Sequence, residues 1–455
     1  MLQVPPLEKE LGMETYVTQS LGVGGRIRQL LDDFVVEELL VDGSLAEVSV
    51  PVEAWEPAGM GRYLICVLVK RRWDTFLAVR KVAERLRISR KRIRFAGIKD
   101  TKALTAQHIS LQNVSPNKVL DVRIKDITLY PQRFSKERMY SQLIKGNRFH
   151  ITVRGIAHPS SVIEERTKNI QTEIEAVGGV PNFFGHQRFG TIRPNTHLIG
   201  KHLSRGDAER AALVFLAEPS EHEHPQAREA RQQLHDTLDF GEALERFPRF
   251  LRYERFMLRH LARYPNDYVG AFRTLPRRLR KLFVQGYQSY LFNRFISERI
   301  RRGIPLNEPQ IGDYTIKLGE HGLPTEECDQ ATENNIQTTV QSVKEGTMCV
   351  AAPLVGPDQP PSEGVQGEIE QKILENENVN PQKFRISFMP EATALGRVRA
   401  ILNPVWNLVQ EEIADDTENE GKQMMKLGFT LNRGSYATVI LREFMKPQDL
   451  ITAGY

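Results

Sequence analysis

Short apolar runs dominate the first 155 residues, and their spacing sets the expected elements. In GGRIRQLLDDFVVEELL an extended piece leads to a turn at Asp32–Asp33 and then a strand over Phe34–Leu39. GRYLICVLVKRR, rich in β-branched and apolar residues, predicts a second strand. In WDTFLAVRKVAERLRI the period changes to that of a helix. Asp74 or Thr75 caps it, and Phe76, Val79, Val82, Ala83 and Leu86 fall on one face, with a basic face opposite. RIRFAG reads as a strand that enters a loop around Asp100, and TAQHISLQ alternates like the strand after it. GNRFHITVRG (146–155) reads as a turn and a strand with Phe149, Ile151 and Val153 on one side. A helix is expected from Pro159 to Ala176.

From about residue 206 the pattern turns helical, in DAERAALVFLAE and RKLFVQGYQSYLFNRFISERIRR, with loops rich in His, Pro and Glu between. Strand-like text resumes at GRVRAILNP and in MKLGFTLNRGSYATVILREF, where a Gly-Ser turn is expected to join strands as a hairpin. The order is core, helical insertion and return to the core. The expected boundaries are 1–205, 206–396 and 397–455.

Composition narrows the classes. With 455 residues, 40% hydrophobic and 26% charged, the chain reads as a soluble globular protein of more than one domain. No apolar run approaches a membrane span. MLQVPPLEKELGMETYV has no basic stretch before an apolar core, so no targeting segment is expected. The three cysteines, Cys66, Cys328 and Cys349, lack paired spacing, which argues against zinc or disulfides and fits the cytoplasm. GVGG (22–25) is too short for a dinucleotide fingerprint, and EHEH (221–224) lacks further clustered ligands. Neither a metal nor a nucleotide cofactor is expected.

Charge changes the picture more. The net charge is only +5, yet residues 61–110 hold fourteen Lys/Arg against three acids, and residues 271–302 hold nine against one. Long basic side chains also solvate ordinary helix faces. Two such runs, one adjoining the Asp100 loop, point to a polyanion.

Two stretches could carry chemistry. FAGIKDTKALTAQHISL puts Asp100 between Lys99 and Lys102 on a loop between strands. Flanking cations favour the charged carboxylate, which can act as nucleophile or base, or stabilise a glycosidic carbon. The plainer use of Asp there is an Asx turn. PNFFGHQRFG mixes Asn182, Phe183, Phe184, Gln187 and Arg188. Aromatic faces stack unpaired bases and amides read base edges, although core-filling Phe residues are the commoner reading of such a turn.

Taken together, AGIKDTKALTAQ, NFFGHQRFG and GSYATVILRE resemble the TruD family of tRNA pseudouridine synthases. DDFVVEE, GNRFHITVR and GYQSYLFN occur in the family's order, so the resemblance covers nearly the whole chain. It implies an α+β pseudouridine synthase fold, a mixed and mostly antiparallel sheet with flanking helices. It also implies an inserted, more helical TRUD domain, with RNA held between the two. The family isomerises a uridine, in tRNA position 13 of the D-arm, without cofactor or metal. The family's catalytic aspartate falls on Asp100 and its uracil-stacking aromatic on Phe184, with Asn182 as a polar contact. Lys99 is the basic neighbour. Arg28 stands where bacterial members carry lysine, Tyr436 holds an aromatic position, and Phe183 stands where many members have Tyr. The rival readings are a synthase acting on another RNA class, a non-catalytic RNA-binding protein of this fold, and a carboxylate glycosidase or nuclease. The last lacks a second partnered acid.

Overall fold

The computed structural model describes residues 2–49 and 58–455. The chain divides into two compact units, one of residues 20–179 and 403–454, the other of residues 1–19, 180–402 and Tyr455.

The first unit is built on one eight-stranded sheet: β1 (Phe34–Leu40), β2 (Tyr63–Arg71), β3 (Ile93–Phe95), β4 (Leu104–Gln112), β5 (Ile127–Ser135), β6 (Ile144–Ile156), β7 (Val405–Asp415) and β8 (Gln423–Asn432). Its order is β7-β8-β6-β1-β4-β2-β5, with β3 also paired to β4. Only β1 and β4 run parallel, with Val35 opposite Leu104; the other strand pairs are antiparallel. β2 and β4 are buried on both faces, so both read as nearly continuous apolar text rather than as alternation. The helix Thr75–Leu86 packs Ala78, Val79, Val82, Ala83 and Leu86 into the core formed with β2 and β4. Asp74 caps it by accepting from the Leu77 N–H at 3.0 Å. Phe76, expected on the buried face, is instead 39% exposed. It lies in the first turn, its ring edge-on to Phe95 and beneath the Arg90 guanidinium.

After β8, the expected second strand of a hairpin is a helix, Ala437–Met445, with all nine residues buried. A short run buried on every side carries no period, so a strand and a core helix look alike in sequence.

The second unit centres on the 25-residue helix Arg277–Arg301. The helix Thr196–Arg205 crosses it so closely that a Cβ on Gly200 would stand 2.1 Å from the Phe283 carbonyl oxygen. A four-stranded antiparallel sheet completes the unit, in the order Arg397–Ala400, Met348–Leu354, Tyr314–Leu318, Pro324–Gln330. Among the described residues no helix is long and apolar enough to cross a membrane.

Candidate active site

Asp100, Lys99, Arg28 and Tyr436 lie in the sheet unit, and Phe184 and Asn182 in the helical unit. Asp100 sits in the loop between β3 and β4. Its carboxylate is exposed and makes no ion pair or side-chain hydrogen bond among the described residues. It is therefore not the acceptor of an Asx turn. The main chain around it is held instead. The Lys70 ammonium donates to the Asp100 carbonyl at 2.7 Å and to the Lys99 carbonyl at 3.4 Å. The Lys99 N–H donates to Thr75 Oγ1 at 3.2 Å, and Gln107 Nε2 donates to the Gly97 carbonyl at 3.0 Å. Lys70, Thr75 and Gln107 are fully buried, so the loop rests on fixed donors and acceptors from β2, the helix start and β4.

Lys99 does not turn to its neighbour. Its ammonium meets Glu38 Oε2 at 2.9 Å and Asn147 Oδ1. Glu38 also accepts from the His108 N–H at 3.0 Å. Burial works to raise the Glu38 carboxyl, but Lys99 and His108 bring it below the usual carboxylate range. Glu37, one residue earlier, points to the other covered face and pairs with Arg148 at 2.6 Å. Each of these two adjacent buried acids meets its own cation, Lys99 from the β3–β4 loop and Arg148 from β6.

Arg28 has a left-handed φ of 58°. Its guanidinium lies 4.0 Å over the Phe34 ring and donates to the Gly454 carbonyl at 3.0 Å. Phe34 opens β1, beside the start of β4, so register puts Arg28 at the strand ends where the Asp100 loop enters the sheet. Tyr436 is half-buried and precedes the helix Ala437–Met445. It follows Asn432, whose partner Gly146 lies opposite Leu39, near the other end of β1.

In the helical unit Phe183 and Phe184 are buried, with Phe183 deeper. The Phe184 main chain is clamped by Asn293: its N–H donates to Asn293 Oδ1 at 2.8 Å, and Asn293 Nδ2 donates back to its carbonyl at 3.0 Å. Phe292 meets the Phe184 ring edge-on, and the Arg399 guanidinium lies 4.2 Å from its centroid. Arg399 also donates to Asn182 Oδ1 at 2.6 Å, while Asn182 Nδ2 donates to the Ala400 carbonyl at 2.9 Å. Phe184, Asn182 and Arg399 thus form one aromatic and polar group.

Each basic run mixes paired and unpaired cations. In residues 61–110, Arg72, Arg85, Arg87, Lys91, Arg94 and Lys102 are exposed, and none forms an ion pair among the described residues. In residues 271–302, Arg280, Arg294, Arg299, Arg301 and Arg302 pair with carboxylates, including a buried Arg299–Asp313 contact of 2.7 Å. Arg273, Arg277, Arg278 and Lys281 of the same run are exposed and form no ion pair among the described residues. In EHEH, Glu223 pairs with Arg231 at 2.9 Å and His224 caps the helix Pro225–Thr237.

The sequence model described as tRNA pseudouridine synthase D (TruD) matches residues 10–444. A Methanosarcina barkeri protein named probable tRNA pseudouridine synthase D is 40% identical over 450 residues, 99% of each chain. A Methanopyrus kandleri protein of the same name is 40% identical over 85% of this chain and 86% of its own. The crystal structure of a tRNA pseudouridine synthase D (TruD) from Methanosarcina mazei superposes with a TM-score of 0.85. It is 39% identical and covers 98% of this chain and 99% of its own.

Proposed function

The chain belongs to the TruD family of tRNA pseudouridine synthases, and from that premise we propose that Asp100 isomerises uridine 13 in the D-arm of tRNA to pseudouridine without a cofactor. One observation carries the assignment of Asp100: an exposed, unengaged carboxylate on a loop whose main chain is fixed by buried side chains. A group held this way loses little freedom on reaching its reactive geometry.

The target base leaves its stack before the ribose can be reached. Asp100 then attacks C1′, displacing N1 of the uracil to give a covalent acylal, or it removes the 2′ proton to give a glycal. The uracil turns and C5 bonds to C1′, as the Asp100–C1′ bond breaks in the first route or the 2′ proton returns in the second. The C5 proton is lost and N1 takes one up, so the product is an isomer of the substrate. Phe184 offers the ring for the flipped uracil, and Asn182 a polar contact beside it. Lys99, its ammonium held by Glu38, and Arg28 are the basic groups assigned to the site, and Tyr436 its further aromatic. The exposed cations of residues 61–110 bind phosphates. In this reading residues 206–396 are the inserted TRUD domain, which is supported by their lying wholly within the Val180–Leu402 part of the helical unit.

The test is a carbodiimide map of pseudouridine in total tRNA incubated with wild type and with Asp100→Ala. Wild type adds one site in the D-arm; Asp100→Ala adds none and still binds the RNA. An active Asp100→Ala overturns the mechanism. A wild type inactive on tRNA but active on total RNA moves the substrate to another RNA class.

A further inference from the structure

Lys70 is a fully buried cation without a carboxylate partner among the described residues. It is the penultimate residue of β2, after the apolar run YLICVLV. Among the described residues its ammonium donates to the main-chain carbonyls of Lys99 and Asp100. Carbonyl oxygens need only a neutral donor, and Thr75 and Gln107 already serve the same loop as neutral partners. Burying an ammonium costs several kcal/mol when no counter-charge is buried with it. The carboxylates that act on it are Asp100 and Asp74, opposed by the Lys99 ammonium. The charge therefore stands behind the one exposed acid of the loop.

We propose that Lys70 is a positioning residue of the isomerisation: its ammonium fixes the Asp100 main chain and sets a positive charge behind the carboxylate, so that turnover requires the charged form of Lys70. This rests on the assignment of Asp100 made above. It adds a dependence that Asp100 alone does not have. Burial pushes the Lys70 ammonium down to about 8, with Asp100 and Asp74 working the other way and Lys99 adding to the fall. The charge is then present at neutral pH and lost in mildly alkaline solution.

The experiment measures single-turnover kcat and RNA affinity for wild type, Lys70→Met, Lys70→Arg and Asp100→Ala from about pH 6.5 to about pH 9.5. Lys70→Met keeps the length of the side chain and removes the charge. It is expected to lower kcat by about 100-fold, the cost of a small misplacement of a reacting group, with affinity unchanged. The wild-type kcat falls above about pH 8. Lys70→Arg, whose guanidinium stays charged, retains activity through that range and so separates lysine deprotonation from ionisation of the uracil. Wild-type activity in Lys70→Met overturns the proposal. So does a wild-type profile that matches that of Lys70→Arg at alkaline pH, and this comparison decides the matter if Lys70→Met does not fold. Activity in Asp100→Ala would instead remove the underlying assignment, whatever Lys70 does.

Discussion

Stacking of a base on an aromatic side chain is worth about 1–3 kcal/mol. Phe184→Leu keeps most of the apolar volume and removes the ring face. Its kcat/KM should fall by about 10- to 100-fold, measured as tritium release from tRNA carrying 5-tritiated uridine; an unchanged kcat/KM would take Phe184 out of the reaction. The positions of Asp100, Phe184 and Asn182 in their motifs were legible in the sequence. Their supports were not. Asn293 lies among the apolar residues of SYLFNRF, and a polar residue at a buried helix position was a usable sign that it had a partner. Lys70 gave the same sign at the end of an apolar strand. Arg399 gave none, because an arginine in GRVRAILNP has no local feature that points to a ring more than 200 residues away.

Two helices with one face in solvent were legible, whereas the half-exposed strands Ile127–Ser135 and Val405–Asp415 were not. Thr75–Leu86 and Ser160–Val177 kept the 3.6-residue period. Ala437–Met445 lost it through burial on all sides. Charge density alone does not say which cations are unpaired, because sequence counts neighbours along the chain while ion pairs form across it. At most half of the net charge of residues 271–302 is offset by Glu14, Asp313, Glu377 and Glu391, and Arg273, Arg277, Arg278 and Lys281 stay exposed and unpaired among the described residues. Paired and unpaired cations should therefore respond differently to mutation. Removing Arg87 and Lys91 together should weaken tRNA binding and flatten the plot of log K against log salt by about 1–2 units of slope. Removing Arg301 should leave that slope unchanged and lower stability slightly. Filter binding across a salt series checks both.

Across the whole molecule, stability carries a pH signature from one buried acid. Burial pushes the Glu370 carboxyl up to about 7, although Ser362 and Gln366 donate to it. Between the ordinary 4.5 and about 7 the folded chain holds a proton that the unfolded chain has released. The contribution is complete below 4.5 and is lost as the pH rises to about 7. Glu370→Gln should therefore exceed wild type by about 2–3 kcal/mol near pH 8, with the gain shrinking steeply toward pH 5, as read from urea midpoints. The strand order has a consequence of another kind, during synthesis. β6 lies between β1 and β8, and 266 residues separate its end at Ile156 from Gln423, where β8 begins. At ribosomal speeds of about 5–20 residues per second, β6 waits roughly 13–53 seconds for its second neighbour. For that interval a strand destined for the middle of the sheet is an edge, open to pairing with another nascent chain.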